Sequence, residues 1–163
     1  MKFQKKSPLV DEVAGNSVYT VLDFKCAFWS VQLSPKAALL CAFGTPFGIY
    51  KLERLAFGLS VSSEIFQSKA SEIFCLPNVF IYIDDLIIAA KSVKEHDETL
   101  LKVLKIAREN NAKFNGKKIQ FRKSSATYLG YVLSSQGKEI SPDRIKAIED
   151  LPIPTVESNC KEF

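Results

Sequence analysis

A chain of 163 residues, 47% hydrophobic and 25% charged, is long enough for one globular domain with a real core and short for two. Lys and Arg number 22 against 18 Asp and Glu, a net charge of +4 that sits in short clusters such as Lys5-Lys6, Lys117-Lys118 and Arg122-Lys123 rather than in a tail. That excess favours a polyanionic partner only weakly, and no apolar run reaches the length of a membrane span.

In chain order, the start MKFQKKSPLV is basic but has no apolar stretch behind it, so it does not read as a secretion signal. The run Ser17 to Asp23, SVYTVLD, is β-branched and aromatic and predicts a strand ending on an acid. The stretch AFGTPFGIYKLERL predicts a hairpin turned at its Gly-Thr-Pro-Phe-Gly core. From Ser62 to Phe74, Phe66, Ala70, Ile73 and Phe74 recur at helical spacing, with Glu64 in the first turn where the helix dipole favours it. NVFIYIDDLIIAA, Asn78 to Ala90, reads as strand, tight turn and strand.

A second helix is predicted to open at a Ser92 to Glu95 capping box, to carry Leu100, Val103, Leu104 and Ala107 on one face and to stop at Asn110-Asn111. AKFNGKKIQF and ATYLGYVLSSQGKEI follow as extended segments, and SPDRIKAIEDL as a helix with Ser141 as its cap and Pro142 in its first position. The tail PIPTVESNCKEF reads as a linker. The central order, strand, helix, strand, strand, helix, strand, predicts an α+β layer with two helices on one face of a sheet. Cysteines at 26, 41, 75 and 160 show no C-x-x-C spacing and have one histidine, His96, to join them. They argue against a zinc site and for buried, reduced thiols in an intracellular protein, cytoplasmic or nuclear.

Asp84-Asp85 stand out, because two like charges interrupt an apolar run. A plain turn is one reading, yet two-residue hairpin turns prefer Asn-Gly or Asp-Gly. Two carboxylates about 4 Å apart repel by about 4 kcal/mol at an effective dielectric near 20 and by about 1 kcal/mol in water. A divalent cation turns that repulsion into a site. Hard oxygens without His or Cys suit Mg²⁺, and Asp23, at the end of the first strand, is the third acid to seek. Such a set would clamp two ions for in-line displacement at phosphorus.

The string YIDD, Tyr82 to Asp85, follows TVLDFKCAFW and FGTPFGIYKLERLAFGLSVSSEIFQ and precedes KFNGKKIQF and YLGYVLSSQGKEISPDRIKAI. In this order the blocks resemble the reverse transcriptase of gypsy-type LTR retrotransposons, part of a pol polyprotein, from about Ser7 to Phe163. The resemblance implies a polymerase palm with a ferredoxin-like βαββαβ core and a partial fingers hairpin over residues 1–155, and the start of a connection at 156–163. It implies RNA-directed DNA polymerase activity, a nucleotidyl transfer on two Mg²⁺ ions, with Mn²⁺ as a substitute. Its partners would be an RNA or DNA template with primer, and dNTPs; it implies no membrane and leaves the oligomeric state open.

By the same resemblance Asp23, Asp84 and Asp85 are the catalytic, metal-binding carboxylates, and Phe28 is the steric gate beneath the incoming sugar. Phe57 and Gly58 pack on the incoming nucleotide, Gln67 belongs to the substrate site, and Leu129 and Gly130 form the primer grip. Lys117 or Lys118 falls near a lysine thought to protonate the leaving pyrophosphate. Read from the residues alone, Phe28 is equally a core phenylalanine, Gln67 an exposed helical residue, Gly130 a hairpin glycine and either lysine a surface charge. The sequence departs from the family's pattern at Cys26-Ala27, Ile49, Ala56 and Ser62-Ser63, and it begins only a short way before Asp23. Most of the fingers and the thumb are therefore expected to be missing. The alternatives are a non-catalytic nucleic-acid-binding α+β domain and an inactive retroelement remnant.

Overall fold

The structure, a computed structural model, describes residues 6–151. The expected linker tail, Cys160 and the connection start at 156–163 lie outside the described residues. Helix α1 (Lys6–Val13) leads into β1 (Val18–Asp23), a single 3₁₀ turn at Phe28–Ser30, and α2 (Pro35–Leu40). The hairpin β2 (Ala42–Thr45) and β3 (Gly48–Lys51) precedes α3 (Ser62–Ile73), β4 (Val79–Tyr82), β5 (Asp85–Ala90) and α4 (Val93–Glu109). The chain continues through β6 (Gln120–Lys123), β7 (Ser125–Tyr128), β8 (Tyr131–Ser134), β9 (Gly137–Ile140) and α5 (Pro142–Glu149).

The central sheet has the order β4-β5-β1-β6, and each neighbouring pair is antiparallel. With α3 between β1 and β4, and α4 between β5 and β6, this is the expected βαββαβ layout. The β2–β3 ribbon pairs only with itself, and β7-β8-β9 form a separate sheet.

Alternation along β1 and β5 shows why both read as continuous apolar runs. Leu22, Leu86 and Ile88 pack against Phe66, Ala70 and Phe74 of α3 and Val103 and Ala107 of α4. Tyr19, Val21, Ile87 and Ala89 face the other way, onto Leu9, Val10 and Val13 of α1 and onto Ala126, Tyr128 and Leu133 of the small sheet. A sheet covered on both faces needs no polar side, and each Leu or Ile so buried contributes about 1.5–3 kcal/mol.

The structure departs from the expectations at several points. Helices α1 and α2 were not foreseen, although Ser34 caps α2 by accepting the Ala37 N–H at 3.2 Å, with Pro35 in the first turn. On α4 the buried stripe is His96, Thr99, Val103 and Ala107, while Leu104 is exposed. Ser92 accepts the Glu95 N–H as the capping box requires, but the Glu95 carboxylate accepts from Asn78 Nδ2 at 2.7 Å. Ser141 occupies the cap of α5 without a side-chain capping bond; its N–H donates to Gly130 O at 3.1 Å. Cys26 and Cys75 are exposed rather than buried, and both are free, as is the half-buried Cys41.

A buried polar network ties α4 to the sheet. His96 is fully buried, with Nε2 2.8 Å from Thr20 Oγ1 and Nδ1 3.0 Å from Asp97 Oδ1. Thr20 Oγ1 also accepts the Arg122 N–H at 3.0 Å, and Arg122 pairs with Asp97. The Arg122 guanidinium, and after it His96, hold the Asp97 carboxyl below the usual aspartate range. His96→Phe removes both imidazole bonds in a site without water access. It should lower unfolding stability by about 2 kcal/mol, seen as a lower urea midpoint at unchanged slope.

Candidate active site

The ladder between β1 and β5 ends with Asp23 opposite Asp85, so the two side chains leave the sheet on the same face. Period-2 alternation assigns that face: Val21 and Ile87, each two residues away, belong to the α1 and β7–β8 side. Asp84 lies in the turn itself. Tyr82 pairs with Asp85, which makes Ile83 and Asp84 the two turn residues, rather than Asp84 and Asp85. The Phe24 N–H donates to Asp84 O at 2.8 Å and fastens the turn to the end of β1.

Ile83 has φ +51°, a left-handed conformation that a β-branched residue adopts at a cost of order 1–3 kcal/mol. Gln67, on α3, holds it there. Its Oε1 accepts the Ile83 N–H at 2.5 Å and its Nε2 donates to Ile81 O at 3.0 Å and to Ser71 Oγ at 3.1 Å. One side-chain amide thus satisfies backbone groups on both sides of Tyr82, just before the turn.

A cavity of about 260 Å³ opens beside the acids, with Asp23, Asp85, Lys118, Gln120, Tyr128 and Leu129 in its lining. Tyr128 is buried, its hydroxyl 3.4 Å from Asp85 O, and burial first and the Asp85 charge second push the phenol well above its ordinary range. Leu129 (φ +51°) and Gly130 (φ +80°) form the two-residue turn between Tyr128 and Tyr131. Both conformations are those of a type I′ hairpin turn, and a Cβ on Gly130 would stand 3.2 Å from Arg144 Nη1. Another cavity, of about 220 Å³, lies on the α3 side among Phe24, Phe66 and Phe74; it is apolar and holds none of the acids.

The electrostatics are uneven. Lys118 Nζ is 3.1 Å from Asp23 Oδ2, whereas Asp84 Oδ1 is buried with no hydrogen-bond partner. Burial first and the Asp23 charge second raise the Asp84 pKa, with Lys118 pulling it back. The folded state therefore binds a proton at Asp84 more tightly than the unfolded chain does. The stability this gives is complete below the unfolded pKa of about 3.9 and is lost as pH rises through the folded value. Asp84→Asn should accordingly melt higher than the parent at pH 7 in EDTA. The advantage should vanish below about pH 4; a variant less stable at pH 7 would refute it.

The other expected site residues are dispersed. Phe28 is 7% exposed and packs against Phe57 and Phe66 at ring distances of 4.9 and 5.8 Å, on the α3 side. Phe57 is exposed, and Gly58 follows it at φ +84°. Lys117 makes no ion pair among the described residues. Nor, among the described residues, is any group of three His, Cys, Asp or Glu gathered closely enough to hold a metal ion. The register brings the three acids to one end of the sheet without closing them into a ligand set. The roles of Tyr128 and Gln120 in the cavity and the Gln67 clamp were missed in the sequence; only the proximity of Tyr128 to Leu129-Gly130 hinted at any of them.

The sequence pattern of the family described as reverse transcriptase (RNA-dependent DNA polymerase) matches residues 1–133. The Pol polyprotein of transposon gypsy from Drosophila melanogaster is 29% identical over 152 residues, which is 89% of this chain and 14% of that protein. The Pol polyprotein of Drosophila transposon 297 is 28% identical over 96% of this chain and 15% of its own length, so the chain spans a small part of these relatives. Among solved structures, a foamy viral protease-reverse transcriptase in complex with double-stranded DNA superposes with a TM-score of 0.90 at 20% identity, over 99% of this chain and 29% of that one. The same viral enzyme with an RNA/DNA hybrid gives 0.84 at 21% identity, over 94% and 21%. With the fold reproduced across nearly its whole length and the family pattern running through β1, the acidic hairpin and α4, the chain belongs to the reverse transcriptase family.

Proposed function

We propose that residues 1–155 form the palm, with partial fingers, of an RNA-directed DNA polymerase, and that Asp23, Asp84 and Asp85 hold its divalent ions. One observation carries the reading: Asp23 stands opposite Asp85 at the strand end, next to a buried Asp84 oxygen that no protein group satisfies. An orphaned carboxylate oxygen among hard oxygen donors fits Mg²⁺ or Mn²⁺. When bound, the two ions would neutralise charge developing on the phosphoryl oxygens and activate the primer hydroxyl.

The chain's own residues do the positioning that phosphoryl transfer needs. Gln67, expected in the substrate site, also fixes the acidic turn through Ile81 O and the Ile83 N–H. Leu129, in the cavity lining, and Gly130 beside it set the primer end near Asp85, where the tight I′ turn lets the backbone approach. Phe28, braced by Phe57, limits the space under the incoming sugar, and Phe57 and Gly58 pack on its base. The nucleic acids bound by the foamy viral relatives support a template with primer as partner, with dNTPs as substrates.

The test is primer extension on an RNA template, with this chain and with a longer chain that contains it. Extension should require Mg²⁺ or Mn²⁺ and stop in EDTA. Binding of primed template without extension in either ion would favour a second reading, a non-catalytic nucleic-acid-binding domain. Exposed Trp29, Phe43, Tyr50 and Phe57 are the observation behind that reading, since exposed aromatics can stack bases.

A further inference from the structure

We infer that Lys118 is a built-in counter-cation for the carboxylate site, occupying Asp23 until a divalent ion displaces it. This rests on the reading of Asp23, Asp84 and Asp85 as ion ligands and adds a competitor to it. No Lys or Arg lies within the Asn78 to Ala90 run that carries Asp84 and Asp85, and the structure brings Lys118 to Asp23 from 95 positions away. The loop carrying it is laced to the end of β1. Lys25 N–H donates to Lys113 O at 2.7 Å, Asn115 N–H to Asp23 O at 2.8 Å, and Lys118 N–H to Asn115 O at 3.0 Å. Phe24 and Phe114 form an isolated bridge between the same segments.

The Lys118 backbone is therefore fixed beside Asp23, while its side chain remains 64% exposed and free to swing into solvent. Its ammonium touches one acid, Asp23, and makes no hydrogen bond to Asp84. That is how a mobile monovalent charge offsets a site it does not fill, and Asp84 Oδ1 stays unpaired. Lys117, one residue away, makes no ion pair with any described acid and serves as a control of equal charge.

An exposed ion pair contributes little to folding, so the contact has its main consequence in ion affinity. A divalent ion entering the site must break the Lys118 contact and bear the repulsion of its charge. Calorimetric titration with Mn²⁺ at pH 7 and low salt, on the full chain and its variants, tests this. Lys118→Met should bind Mn²⁺ roughly tenfold more tightly than the parent, as expected for removing a unit charge a few ångströms from the ion. Lys118→Arg, which keeps the charge, and Lys117→Met, which leaves the contact intact, should each stay within about twofold of the parent. Melting curves in EDTA establish that each variant is folded.

Equal or weaker binding by Lys118→Met, with Mn²⁺ still bound by the parent, overturns the counter-cation role and leaves the carboxylate site standing. Absence of Mn²⁺ binding in the parent and in Lys118→Met alike overturns the carboxylate reading, and this inference with it.

Discussion

Asp84→Asn combined with Asp85→Asn should reduce RNA-templated primer extension by about 10³-fold or more, without loss of folded structure. The size of the effect follows from how the acids are used. Phosphoryl transfer draws on no protein nucleophile, so under the proposed function the field of the ions would be the catalyst and the carboxylates would hold it. Asparagine keeps the shape of the turn and the Phe24 N–H to Asp84 O bond, which is a backbone contact. It removes the two charges. Because ionised Asp84 lowers stability in the absence of ions, the double variant should melt at or above the parent temperature in EDTA. Single-nucleotide addition, measured in a longer chain carrying this segment, gives the rate. Extension that persists in the double variant would mark a contaminating polymerase and remove the enzymatic reading.

Gln67→Ala should lower the extension rate by about 10²-fold, the penalty for a reactive centre displaced by about an ångström. The clamp acts on Ile81 O and on the N–H of Ile83, the residue in a costly conformation. Truncation leaves both groups without their partner and frees the turn that carries Asp84. Unfolding stability should fall by about 2 kcal/mol as well. The kinetic pattern separates positioning from substrate contact: kcat should fall with little change in KM for the dNTP. A raised KM with kcat intact would return Gln67 to the substrate site that the family resemblance implies.

What the sequence disclosed follows the range of the interactions involved. β1, the β4–β5 hairpin and α4 were legible because their signals are local: β-branched runs, a tight turn and a Ser92 cap. The hairpin at Ala42–Lys51 was legible in the same way from its glycines. Helix α1 was not, since Leu9, Val10 and Val13 are ordinary residues until the back of the sheet gives them something to cover. That back face was itself invisible, because continuous apolar strands announce two covered faces without saying what covers them. For Leu104 the periodicity was right but the stripe lay slightly to one side, centred on His96 and Val103, where the sheet touches α4.

The same logic divides the site. Asp23 and Asp85 were nameable as acids ending or starting apolar strands, and the ladder places them opposite each other. Gln67 was nameable only as part of a family string, since its bond to Ile83 spans sixteen positions. Lys118 was weighed as a surface charge or a proton donor. Its contact with Asp23 depends on a loop path from α4 to β6 that no periodicity encodes. Phe28 is part of the core with Phe66, with exposed Phe57 against it, and its part in sugar selection belongs to the proposal.

The proposed sharing of divalent ions by Asp23 at the end of β1 and Asp84 and Asp85 of the β4–β5 hairpin is tested most directly by ¹⁵N amide spectra of the chain titrated with substoichiometric Mn²⁺. Signals of Asp23, Phe24, Asp84, Asp85 and Leu129 should broaden first and together, and the broadening should disappear in the Asp84→Asn, Asp85→Asn double variant. Broadening centred on other acids, or unchanged in that variant, would contradict the account.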